Sequence, residues 1–262
     1  IELHATMLQT AYDNEHVYKR WEYIITCMLA KEPGIPRIHR LRVIHLYECD
    51  LNLLFSLFFR ELDQHCEDNY LINKGVYGCR PNRRAIDPVF VDVTQTEQSM
   101  VTRTVLVRFN NDATACFDRI LVHLLSLCIR SFGMPKKLTK ILGELLKMAR
   151  YAIKTGIGIS EETYQHSDTS PAFGSGQGSA ASAQGWTKIV SKLFDLHDKY
   201  GHGCKYADPW KMYTAIITML GFVDDNNITN NGDNWEKVED VIKRTQHDAQ
   251  LWNDLLRASG GA

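Results

Sequence analysis

Apolar residues along this chain change their period from segment to segment, and the changes mark out elements. Val17, Trp21, Ile24, Ile25, Met28 and Leu29 recur on one helical face until Pro33-Gly34 breaks the run, which predicts a helix. Leu41 to Leu46 reads as a strand and Leu51 to His65 as a helix. Thr104-Val-Leu-Val-Arg-Phe109 alternates like a buried strand. Two helices are predicted after it, Leu121 to Phe132, stopped by Gly133 and Pro135, and Lys136 to Arg150. Ile153 to Tyr164 reads as a hairpin with Gly156 and Gly158, Trp186 to Tyr200 as a helix, and Trp235 to Leu256 as an amphipathic helix packed under a sheet. There is no internal repeat.

Candidate chemistry lies where two strand-like runs stop at acids. Met219-Leu-Gly-Phe-Val-Asp-Asp-Asn-Asn-Ile-Thr229 is apolar up to Asp224-Asp225 and resumes after two asparagines, which predicts a hairpin with both carboxylates at its tip and an Asn-rich turn reversing the chain. Upstream, the strand ending at Phe109 runs into Asn110-Asn-Asp-Ala-Thr-Ala-Cys-Phe-Asp118, so Asp112 stands at a strand end with Phe117 five residues on. Between these acids comes Gly174-Ser-Gly-Gln-Gly-Ser-Ala-Ala-Ser-Ala-Gln-Gly185. It lacks the Gly-Lys-Ser/Thr ending of a P-loop, and the following helix argues against a flexible linker. Glycines there let backbone come close to a substrate.

Basic residues gather in several places. Arg80, Arg83 and Arg84 surround Pro81 in a segment read as a loop or short hairpin. Guanidinium forks suit phosphate oxygens. Arg37, Arg40 and Arg42 form a second cluster, and Lys136, Lys137, Lys140, Lys147, Arg150 and Lys154 punctuate one helical region that either faces a nucleic-acid backbone or is simply solvated.

Taken in order, these motifs resemble the reverse transcriptase family, over roughly residues 20 to 260. Asp112-x4-Phe117-Asp118 is similar to its first palm motif, Gly176-Gln177-Gly178 with Ser182 to its second, and Phe222-Val-Asp-Asp225 to its aromatic-x-Asp-Asp signature. Gly78-Cys-Arg-Pro-Asn-Arg-Arg-Ala-Ile-Asp-Pro-Val-Phe90 resembles the fingers motif of non-LTR retrotransposon and group II intron enzymes, and Lys31-Glu-Pro-Gly with Arg40-Leu-Arg-Val-Ile44 resembles the segment that precedes it. Ala183 departs from the family, where proline follows the serine.

The resemblance implies an α+β fold: a right-hand polymerase with fingers over residues 1–105 and a palm over 106–262, the palm sheet antiparallel and backed by helices, with motifs at 112–118, 174–186 and 222–225. It implies an RNA-directed DNA polymerase from a retroelement, joining dNTPs to a DNA or RNA primer on an RNA template. Such chemistry is in-line phosphoryl displacement assisted by two metals. Mg²⁺, with Mn²⁺ as its substitute, takes hard oxygen ligands, which makes Asp112 and Asp224 the expected bridging ligands, Asp225 a looser participant and Asp118 structural. By resemblance Phe117 excludes a 2′-hydroxyl, Gln177 and Gly178 lie at the incoming nucleotide with Phe222, and Arg80 then Arg83 contact substrate. An RNA-dependent RNA polymerase is disfavoured by Phe117 and by Val223, where those enzymes carry glycine. The other class of reading is a decayed or domesticated remnant that binds nucleic acid or a partner without catalysis.

Composition limits the picture without deciding it. Lys and Arg number 30 against 31 Asp and Glu, a formal net charge of −1, so any affinity for nucleic acid comes from local patches. With 262 residues and 44% hydrophobic content the chain can bury a sizeable core. Seven scattered cysteines without a Cys-x-x-Cys pair point to reduced thiols in a cytosolic or nuclear setting, and His65-Cys66 and His202-Gly-Cys204 read as ordinary core or surface residues. Leu53 to Phe59 is too short to span a bilayer, and no secretory signal or membrane contact is expected. Ser259-Gly-Gly-Ala262 ends where relatives continue toward a thumb, so a fragment without a thumb is expected.

Overall fold

The computed structural model describes residues 2–32, 34, 37, 41–113, 116–167, 174–208, 210 and 212–260. Pro33 and Arg40, singled out above, lie outside the described residues. In chain order the elements are α1 (Glu2–Asp13), β1 (Tyr23–Ala30), β2 (Leu41–Leu46), α2 (Cys49–Asp68), α3 (Ile86–Thr102), β3 (Leu106–Asp112), α4 (Val122–Ser131), α5 (Lys136–Met148), β4 (Arg150–Lys154), β5 (Tyr164–Gln165), α6 (Ala180–Tyr200), β6 (Cys204–Ala207), β7 (Thr214–Ile217), β8 (Met219–Phe222), β9 (Asp225–Asn231) and α7 (Val238–Ala258). The mixture of helices with sheets built mainly of antiparallel pairs is α+β, as expected. The chain forms two compact units, one of residues 1–65 and 117–185, the other of residues 66–116 and 186–262.

The first unit contains a sheet of order β2-β1-β4-β5. Its central strand corrects the sequence expectation, because the 17–29 segment is not a helix: a 3-10 turn over Lys19–Glu22 leads into β1. Ile24, Ile25 and Thr26 are stiff β-branched residues, and β1 gains ladders on both edges, antiparallel to β2 and parallel to β4. Two-sided pairing outweighs the helical spacing of Val17, Trp21, Ile24, Ile25, Met28 and Leu29. The helices α4 and α5 follow the predicted bounds closely and bury Leu125, Ile129, Leu138, Ile141 and Leu145.

The second unit is built on an antiparallel sheet of order β3-β9-β8 and a separate hairpin of β6 and β7, which the sequence reading did not anticipate. Register between β3 and β9 runs from Leu106 opposite Asn231 to Asp112 opposite Asp225. On α7, Val241, Thr245, Asp248, Trp252 and Leu256 are buried at helical spacing, and this face packs on β3 and β9. Trp252 donates from Nε1 to Asn111 Oδ1 at 3.2 Å and meets Phe194 edge-on at 5.6 Å between ring centres. The expected helix beneath the sheet is therefore present, starting three residues later than Trp235. Among the described residues no helix is long and apolar enough to cross a membrane.

Candidate active site

The strand register of the second unit brings the three predicted aspartates to one sheet end. Asp112 is the last residue of β3 and Asp225 the first of β9, and they are direct partners. Directly opposed residues of an antiparallel pair project from the same face with Cβ atoms about 4.5–5.5 Å apart. Both are exposed. Asp224, half-buried, stands next to them in the turn between β8 and β9. Like charges directly opposed across strands repel, and a cation held between these carboxylates would relieve that repulsion.

The turn itself differs from the expected Asn-rich one. Chain reversal occurs at Val223-Asp224, with Phe222 paired to Asp225, and the asparagines already belong to β9. Val223 has φ 63, a left-handed value for a β-branched residue at a two-residue hairpin position that usually takes glycine. Such a conformation costs of order 1–3 kcal/mol and persists only where neighbours fix it. Here they do. Trp186 Nε1 donates to Val223 O at 2.7 Å, and Asp224 O accepts from Ala113 N at 2.9 Å and from Asn226 Nδ2 at 3.0 Å. Tyr77 N donates to Gly221 O and Gly221 N to Gly75 O, both at 2.8 Å, while Gly78 lies so close that a β-carbon there would meet Val223 Cγ2 at 2.8 Å. Residues 73–77 are thus the part of the site that sequence reasoning missed, while Gly78 and Trp186 were read as parts of motifs without this bracing role.

Those residues also explain Arg80. Its Nε and Nη2 donate to the two carboxylate oxygens of Glu67 at 2.6 and 2.8 Å, and Nη1 donates to Val76 O at 2.7 Å and Asn73 O at 3.3 Å. With its side chain 9% exposed, the guanidinium is turned inward to brace the 73–78 segment rather than outward to a ligand. Arg80 beside it holds Glu67 below the ordinary carboxylate range. Arg83 is exposed, its Cζ 5.9 Å from the centre of the Tyr77 ring. The Arg80–Arg84 segment is a turn leading into α3.

Phe117 and the glycine loop belong to the first unit, where they form their own constellation. Phe117 is half-buried in a short 3-10 turn. Phe117 O accepts from Ser175 N at 2.9 Å and Ile120 O from Gly174 N at 2.8 Å, so the loop lies along residues 117–120. On its other side Gln177 O accepts from His45 N at 2.6 Å, Tyr47 Oη donates to Ser175 O at 3.3 Å, and Ser182 Oγ donates to Ser175 O at 2.8 Å. Gly176 and Gly178 have φ 71 and 114 and press against His45 and Tyr47, leaving no room for a side chain. Gln177 is half-buried and Gly178 exposed at the head of α6, whose first amide, Ala180 N, is capped by Asn52 Oδ1 at 3.0 Å. The helix starts six residues before Trp186, where sequence reading had placed it.

Burial shapes the titratable groups around this loop. It lowers His45 to about 4, with nearby His166 adding to the shift, and pushes Tyr47 up. Asp118 is raised by burial, against the opposing pull of Lys31. The basic residues of α5, and Arg150 at the start of β4, are largely engaged: Lys140 with Glu15, Lys137 with Asp13 O at 3.0 Å, Lys147 with Glu144 at 3.4 Å, and Arg150 with Glu22 at 3.5 Å.

No protein-family model matches this chain, and no curated protein does. Solved structures do. Telomerase from Candida albicans, in complex with a TWJ fragment of telomeric RNA, is similar at TM-score 0.57 and 11% identity, covering 99% of this chain and 44% of that one. Telomerase from Candida tropicalis is similar both in complex with such a fragment, at TM-score 0.58, 13% identity and coverage of 98% and 43%, and in its apo form, at TM-score 0.58, 11% identity and coverage of 99% and 46%. The chain spans less than half the length of each. At such identities the likeness is one of architecture: the chain shares its fold with part of these telomerases.

Proposed function

We propose that this chain is the catalytic part of an RNA-directed DNA polymerase of a retroelement, transferring nucleotides from dNTPs to a primer on an RNA template. The observation that carries the reading is Asp112 opposite Asp225 with Asp224 in the adjoining turn. Three carboxylates at a solvent-open sheet end are a donor set of hard oxygens, which fits Mg²⁺ or Mn²⁺. Asp112 and Asp224 would hold the ions with Asp225 in support, and the bound ions would activate the primer hydroxyl and steady the departing pyrophosphate.

The chain's own residues supply position. The bracing of Val223 by Trp186 and Gly78 fixes the Asp224 backbone, and β3 pairing fixes that of Asp112, so the backbone that carries the carboxylates is set before a substrate arrives. In the first unit, we assign Phe117 to exclusion of a 2′-hydroxyl and the Gln177-Gly178 turn to nucleotide contact, on the strength of their motif resemblance. Arg83 takes the substrate-contacting part first given to Arg80, because Arg80 is spent on Glu67. Phe222, paired with Asp225, sets the flank of the same sheet end.

Extension of a DNA primer on an RNA template with Mg²⁺, comparing dNTPs with rNTPs, tests the proposal. Extension with dNTPs supports it. Binding of the primer–template without any extension favours the reading as a non-catalytic nucleic-acid binder instead.

A further inference from the structure

Asp248, on the face of α7 that packs against the sheet, is fully buried, and its two carboxylate oxygens are used differently. Oδ2 accepts from Asn230 Nδ2 at 2.9 Å, from His202 N at 3.1 Å and from Gly203 N at 3.4 Å. Oδ1 is approached by two imidazoles, His202 Nδ1 at 2.8 Å and His247 Nδ1 at 3.2 Å, with His202 N at 3.2 Å. The rings cross nearly at right angles, 5.1 Å between centres, and the three ligand atoms all lie within 4.8 Å of one another. Both imidazoles reach solvent, at 42% and 57% side-chain exposure.

We infer that His202, His247 and Asp248 form a binding site for a divalent transition-metal ion of the zinc class, distinct from the aspartates at the other end of β9. Asn230, which steadies Oδ2, is five residues along that strand from Asp225, about 17 Å at the rise of an extended chain. Two imidazole nitrogens and one carboxylate oxygen favour zinc, cobalt or nickel over magnesium, which prefers oxygen alone. Ligand atoms of a tetrahedral ion held at about 2.0–2.1 Å stand about 3.3 Å apart, close to the 2.8 and 3.2 Å from Oδ1 to the two nitrogens. A buried carboxylate needs only the amides and Asn230 to be satisfied; the convergence of two further imidazoles on Oδ1 is what a purely structural anchor does not require. The hydrogen bonds on Oδ2 orient the carboxylate as an outer shell does for a metal ligand.

Because a carboxylate only accepts, each Nδ1 carries the hydrogen in the metal-free state. Binding takes the Nδ1 lone pairs and moves each ring's hydrogen to Nε2, with no change in the charge of either ring. Three protein ligands leave a position for water. The ion clips the 201–203 turn, between α6 and β6, to α7.

The test is calorimetric titration of the chelator-treated chain with Zn²⁺, alongside visible absorption on adding Co²⁺. The inference predicts saturation at one equivalent and cobalt d–d bands of nitrogen ligation. His202→Ala and His247→Ala should each weaken binding by at least about tenfold and remove the bands, while keeping the circular dichroism of the parent, since both imidazoles are exposed. Absence of saturable binding, or binding unchanged in both variants, overturns it.

Discussion

Asp112 and Asp225 are direct partners across β3 and β9, and the next amide along, Ala113 N, donates to Asp224 O at 2.9 Å. One ladder therefore fixes all three acids. Two exposed carboxylates so opposed repel in the absence of a cation, and nothing in sheet formation asks for them. That juxtaposition is the reason to look for phosphoryl-transfer chemistry at this end of the sheet.

The position of those acids depends on a glycine outside their strands. A β-carbon on Gly78 would collide with Val223 N, meeting Cγ2 at 2.8 Å and Cα at 3.0 Å, so Gly78→Ala must push the turn away. Overpacking of this kind costs about 1–3 kcal/mol. Urea denaturation should show that loss, and any polymerase activity should fall with it. An unchanged midpoint would mean that the turn is not clamped as described.

Arg80→Ala separates bracing from substrate binding. Removing the guanidinium strands Glu67 and two backbone carbonyls, a loss of about 2–4 kcal/mol for a part-buried pair. Glu67 is held below its usual value of 4.5, so its contribution is full above that pH and disappears as pH falls through the depressed value. The stability gap between wild type and variant should therefore narrow as pH falls below 4.5, as read by denaturation curves at pH 7 and in acid. A variant of parental stability with only a raised KM for nucleotide would restore Arg80 as a ligand.

His45 provides a second pH signature, in the first unit. Half-buried beside Thr26, whose hydroxyl lies 3.0 Å from Nδ1, it is held neutral down to about 4 against 6.5 when unfolded. Its contribution is present above 6.5 and is lost as pH falls from there toward 4, because the unfolded chain takes the proton first. His45→Gln should flatten that part of the stability profile, as read by chemical denaturation at half-unit intervals. Parallel profiles for the two proteins would remove His45 from the effect.

Phe117→Ala tests the assignment of the half-buried ring to sugar selection. If the ring excludes a 2′-hydroxyl, its loss should raise incorporation of rNTPs relative to dNTPs by about tenfold or more, through removal of a clash rather than gain of a contact. Competitive primer extension measures the ratio. An unchanged ratio in a variant that still extends with dNTPs rejects the assignment.

Much of this was legible because strand ends and turn residues leave local marks. β2, β3 and the two helices α4 and α5 announce themselves by period and by Gly133 and Pro135, and the placing of Asp112 and Asp224-Asp225 followed from where apolar runs stop. Partnership was not legible. The β1 segment has a helical spacing, and only two neighbouring strands, one from residues 150–154, make it extended. Arg80 reads as a ligand until Glu67 and the Val76 carbonyl take its donors. The reversal at Val223 was hidden because a β-branched residue rarely takes φ 63, and what holds it there comes from Gly78 and Trp186, far off in the chain. His202 read as an ordinary residue for the same reason: His247 lies 45 positions further along the chain.

The most direct test of the central claim is primer extension on an RNA template by Asp112→Asn and Asp224→Asn, against wild type at equal fold content. An amide keeps the size of the side chain but does not replace a carboxylate toward a divalent ion. Loss of extension by about 10²-fold or more in each, with melting temperatures near the parent's, is the predicted result. Extension undiminished in either variant would contradict the assignment of the β3–β9 sheet end as the catalytic centre.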